Sequence, residues 1–133
     1  MKTASLIGYI DLHDDENVIE KALRRVIVDL IENKGVNKFI SSGFGRFEDI
    51  CARIVRGFKG VYHDGYIKMY MVAPDCGYYG GKRDYNGFIF PPMENGMTAE
   101  KHLNKWLYEN PDYVISFADK TIKVEKKKST EWE

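Results

Sequence analysis

The segment Ser41-Ser42-Gly43-Phe44-Gly45-Arg46 has the residue types of an anion site. Glycines let the backbone approach a ligand closely, and the N–H groups opening a following helix can hold a phosphate. Arg46 would add a planar, two-pronged phosphate donor. The same residues also suit a tight strand-to-helix turn in which glycine only supplies positive φ. No Gly-Lys-Ser/Thr ending makes them a Walker A loop. Glu48 and Asp49 follow at once. In a first helical turn they could bond a ribose or act as a general base, or simply complement the helix dipole. Gly8 and Tyr9 form another cluster, where glycine admits a ligand and tyrosine either stacks on a base or packs as ordinary core. Tyr78, Tyr79, Lys82 and Arg83 combine aromatic faces with cations. That set suits a lid over a nucleobase and its phosphates, or a contact with another subunit.

Other chemistries find less support. His13, His63 and His102 share no ligand spacing with each other or with Cys51 and Cys76, so no metal is expected. No GxSxG marks a serine nucleophile. No cofactor is expected either.

The elements that must position these residues follow from periodicity. Ser5 to Ile10 reads as a short buried strand. Val18, Ile19, Ala22, Leu23, Val26, Ile27, Leu30 and Ile31 recur at spacings of three and four. They predict an amphipathic helix closed by Gly35. Asn37 to Ser41 is a second strand, and Phe47, Ile50, Cys51, Ile54, Val55 and Phe58 line a second helix. Tyr66 to Val72 is a third strand, stopped by Pro74. Ala73 to Met97 holds three of the four prolines and reads as a long loop of functional or mobile type. Thr98 caps a helix that runs to about Glu109 and turns Leu103, Trp106 and Leu107 inward. Tyr113 to Phe117 is a fourth buried strand, and Thr121 to Val124 could add an edge strand guarded by lysines. Strands alternating with helices predict an α/β, Rossmann-like three-layer fold with a mostly parallel sheet of four to five strands. Ligands of such sheets sit beyond the C-terminal strand ends, at the switch point.

Bulk properties narrow the class. The chain's 133 residues fit one domain, read as an α/β domain over 1–119 and a lysine-rich tail over 120–133. Its 20 basic and 20 acidic residues cancel, so a nucleic-acid partner is not expected. Two distant cysteines and the lack of a long apolar run lead to the expectation of a cytoplasmic protein without a membrane partner.

Taken in order, the residues resemble the SLOG superfamily, the Rossmann-like group of YpsA-type proteins and cytokinin-activating phosphoribohydrolases. The resemblance begins at Gly8-Tyr9, where many YpsA-like members carry Gly-His-Arg. It continues from Gly35-Val36 through Gly43-Phe44-Gly45-Arg46-Phe47-Glu48, which is similar to a "GV..F..GG.GGFD" segment. It closes from Leu103-Asn104-Lys105-Trp106 to Asp112-Tyr113-Val114-Ile115-Ser116-Phe117, which is similar to "RN.WM...SDYVI.Y". Residues 5 to about 119 are covered. The resemblance implies a nucleotide-derived small molecule over the glycine turn, with Ser42, Gly43, Gly45 and Arg46 on its phosphate or ribose side and Gly8, Tyr9 and Asn104 nearby. The first-strand arginine is replaced by Ile10 and Asp11. The family's final glycine turn, helix and strand are missing, as is the hydrolase signature PGGxGTxxE.

These departures favour binding without catalysis, by a protein that senses or sequesters a nucleotide-derived signal. Small size and fold analogy alone extend this to a phage-type sponge of a nucleotide immune signal. The alternatives are a nucleotide N-glycosidase or phosphoribohydrolase-like enzyme using Glu48 or Asp49, and an interaction module that presents Tyr78 to Phe90. An open sheet edge leads to the expectation of a homo-oligomer.

Overall fold

A computed structural model describes residues 2–11, 13–42, 45–62, 65–73, 85–91 and 98–127. The chain runs β1 (Lys2–Gly8), α1 (Glu16–Lys34), β2 (Val36–Ser41), α2 (Arg46–Lys59), β3 (Lys68–Val72), β4 (Gly87–Ile89), α3 (Ala99–Glu109), β5 (Tyr113–Ala118) and β6 (Thr121–Lys126). It is an α/β, Rossmann-like fold. The described sheet has six strands, in the order β4-β3-β2-β1-β5-β6, rather than the four to five expected. All neighbours are parallel except β5 and β6, which pair antiparallel.

Local chemistry sets the ends of α1. The Asp15 carboxylate accepts bonds from the N–H groups of Asn17 and Val18, and Gly35 closes the helix at φ 73°. That left-handed conformation suits glycine. Ile19, Leu23, Ile27, Leu30 and Ile31 face the sheet, while Val18, expected inward, is 63% exposed because it lies beside the buried stripe. Alternation along the strands divides the core between two faces. Ala4, Leu6, Phe39, Met69, Ile115 and Phe117 meet α1 and α2. Ile40 and Val72 meet Leu103 and Leu107 of α3. Each of the larger of these side chains contributes about 1.5–3 kcal/mol by leaving water. Ser5 adds a buried tie: its hydroxyl donates to the Leu107 carbonyl at 2.7 Å and holds the end of α3 over β1.

Two elements refine the expected layout. β4 lies within the stretch expected to be loop. Its register against β3 is fixed by Asn86, whose N–H donates to the Met69 carbonyl while its side-chain oxygen accepts from the Met69 N–H. The segment read as a lysine-rich tail carries β6, which reaches Lys126. Asp119 and Lys120, at φ 50° and 62°, form the two-residue turn joining β5 to β6. Positive φ at both positions gives a turn whose twist matches an antiparallel hairpin.

From β1 the chain crosses to β2 on one side, and it returns to β5 on the other. The strand order therefore reverses at β1, which opens a crevice at the C-terminal ends of β1 and β5.

Candidate functional site

A cleft of about 930 Å³ opens at this reversal. Its size falls within the range of small-molecule sites. α3 packs chiefly over β1, and Thr121, Lys123 and Glu125 of β6 stay exposed, so one face of β5 and β6 forms the floor. Ser116, Thr121, Lys123 and Glu125 line that floor. Leu103, Asn104, Leu107 and Tyr108 form the α3 wall, and Gly8, Tyr9, Ser42 and Glu48 stand at the head.

Glu48 is the chemically distinctive member. It belongs to the first turn of α2 and is only 4% exposed. Its Oε2 accepts the Gly8 N–H at 3.2 Å. Burial pushes its carboxyl up to about 7, against the lowering effect of bonds from its own N–H and from that of Gly8; the Asp49 charge adds to the rise. A carboxyl buried in a cleft and poised near neutrality is a recognised mark of a functional site.

Two glycines make this position accessible. Gly45 precedes α2 with φ 130° and ψ 162°, a region essentially restricted to glycine. A Cβ on Gly45 would stand 2.6 Å from Glu48 Oε1. At Gly8 a Cβ would stand 2.7 Å from the ring of Phe47, which is fully buried and stacks on Phe117 at 5.9 Å. Gly8 is therefore required by close approach, and Gly45 by its backbone conformation. The strand end can then settle against the first turn of α2.

The candidate residues separate clearly. Gly8, Tyr9, Ser42, Glu48 and Asn104 come together in the cleft. Tyr9 is 75% exposed, so its ring has a face available for stacking. Asp49 is exposed and lies outside the cleft lining, in keeping with the dipole role. Gly45 and Arg46 are also absent from the lining. Arg46 donates from Nε to Glu16 Oε1 at 2.8 Å, which turns it toward α1. The Glu48 carboxylate takes up N–H capacity at the start of α2 that an anion would have used. Gly43, Tyr78, Tyr79, Lys82 and Arg83 lie outside the described residues.

Sequence reasoning missed several participants. Leu103, Leu107 and Phe117, which their spacing assigns to the core, also border the cleft. Tyr108, Asp119, Lys123 and Glu125 carried no motif at all; only the exposed face of a final edge strand could have signalled the last two. Tyr85 braces the end of β2, with its hydroxyl 3.0 Å from Ser41 Oγ; burial raises its pKa to about 12. The charged groups in the described lining are Glu48, Asp119, Lys123 and Glu125, so acids outnumber bases. Such a lining favours hydroxyls, amines and apolar ring faces over phosphate. No protein-family model matches the chain, and no curated protein matches it.

Proposed function

We propose that the chain binds a nucleotide-derived small molecule through its nucleoside part, as a non-catalytic sensor or sequestering protein related to the SLOG superfamily. The observation that carries this reading is the buried Glu48 carboxyl at the head of a switch-point cleft. A carboxylate there accepts paired hydroxyl donors such as those of a ribose, and such charge-assisted bonds are roughly twice as strong as neutral ones. Tyr9 supplies a stacking face for the base, and Asn104 can both donate and accept at its edge. The apolar wall of Leu103 and Leu107 excludes water from the ring. The acid surplus in the described lining agrees with recognition of the sugar and base more than of the phosphates.

A second reading draws on the same carboxyl. A group titrating near 7 is suited to general acid–base work, which keeps a nucleotide N-glycosidase in view. Calorimetric titration with adenosine monophosphate, ADP-ribose and cyclic dinucleotides, followed by chromatography of the mixtures, separates the two. Binding with every ligand recovered intact supports the sensor. Release of free base that Glu48→Gln abolishes supports the enzyme. If none of the probes binds, the ligand-binding reading is lost. For whichever probe binds, Tyr9→Ala should weaken affinity about tenfold, the scale of one base–aromatic stack. An unchanged affinity would remove Tyr9 from the site.

A further inference from the structure

We infer that a second copy of this chain pairs antiparallel with β6 about a twofold axis through Val124, continuing the sheet into the partner. This inference stands independently of the ligand reading. β6 forms one edge of the sheet, and among the described residues no strand pairs with its outer side. Its hydrogen-bonding direction can be assigned. The two-residue turn makes Ala118 and Thr121 a bonded pair, and the Lys127 N–H donates to the Asp112 carbonyl at 2.8 Å. Thr121, Lys123, Glu125 and Lys127 therefore turn their backbone groups toward β5. Alternation directs those of Ile122, Val124 and Lys126 outward.

The outward set restricts the registers open to self-pairing. Centring the axis on Lys123 sets lysine against lysine, and centring it on Glu125 sets glutamate against glutamate. Like charges directly opposite are destabilising. With the axis on Val124, Val124 faces its own copy in a bonded pair, and Ile122 faces Lys126 of the partner subunit. Lys123 then faces the partner's Glu125, and this attraction is repeated by symmetry. Val124, 44% exposed in the single chain, gains an apolar neighbour. Glu125 also has Lys127 of its own chain at 3.5 Å, so it would stand between two cations. Closed symmetric pairing of this kind also removes an edge that would otherwise invite uncontrolled association. Because Lys123 and Glu125 line the floor of the cleft, the partner's Glu125 completes its outer rim.

Analytical ultracentrifugation of the full chain across a concentration series tests this register. Wild type should dimerise reversibly. Lys123→Glu and Glu125→Lys, each creating two like-charge pairs, should raise the dimer dissociation constant about tenfold or more. The double variant Lys123→Glu/Glu125→Lys, which exchanges the charges, should return it close to wild type. Circular dichroism melting of all four proteins verifies that the monomer fold is retained. The inference is overturned if wild type stays monomeric throughout, if the single variants dimerise as wild type does, or if the double variant dissociates as readily as the singles.

Discussion

Replacing Glu48 with glutamine should stabilise the protein at pH 8 by about 3 kcal/mol and leave it nearly unchanged at acid pH. The sign follows from the direction of the shift. Burial raises the folded-state carboxyl from 4.5 to about 7. Below the lower value both folded and unfolded chains are protonated, and no penalty exists. Between the two values the unfolded chain ionises first, so stability falls as pH rises. Above about 7 the loss is complete, because the folded chain then holds a buried carboxylate. Glutamine retains an oxygen for the Gly8 N–H and has no charge to desolvate. Thermal melting of both proteins from pH 4.5 to pH 8 measures the difference, and other titrating groups cancel in the comparison. Parallel curves would mean that Glu48 ionises as an ordinary surface acid. A charge retained at a net cost in stability is the pattern expected of a working site.

Gly8→Ala should destabilise the fold by about 2–3 kcal/mol, the scale of overpacking in a well-filled core. The added Cβ would meet the Phe47 ring at 2.7 Å, and that ring is fully buried and stacked against Phe117, so moving it disturbs the surrounding core. For a chain of this length the melting temperature should fall by roughly 10 °C. Phe47 and Glu48 share the first turn of α2, so displacing the ring also disturbs the carboxyl. A double-mutant cycle isolates the contact. Phe47→Leu should be harmful in the wild-type background and less so in the Gly8→Ala background. Additive losses would show that the close approach of Gly8 is not what confines Phe47.

Local patterns carried much of the fold. The apolar stripe of α1, its acidic start and Gly35 specify a helix and both its ends without tertiary help. Thr98 likewise marks the start of α3, where its hydroxyl accepts the Lys101 N–H. β4 left no such signal: three residues cannot show a period, and its place depends on the bonds of Asn86 to β3. The place of the cleft was legible in outline, because open α/β sheets form a crevice at the strand ends beside their switch point. Its chemistry depended on long-range contacts. An acid in a first helical turn looks the same whether it faces solvent, as Asp49 does, or meets the end of another strand, as Glu48 does. Arg46 suited a phosphate by type and position, but Glu16 on α1 engages it from thirty residues away. The cleft floor on β5 and β6 was hidden for a different reason, since nothing local reveals that α3 packs chiefly over β1.

The pH dependence of ligand binding tests the role of Glu48 most directly. If the ionised carboxylate accepts ligand hydroxyls, affinity must follow its ionised fraction, about one-tenth at pH 6 and nine-tenths at pH 8 for a group titrating near 7. Titration of the panel member that binds, most simply ADP-ribose, should therefore give roughly tenfold tighter binding at pH 8 than at pH 6. Glu48→Gln should bind weakly and equally at both. Equal wild-type affinity at the two pH values, or full affinity in the variant, would show that the ligand does not rely on this carboxylate.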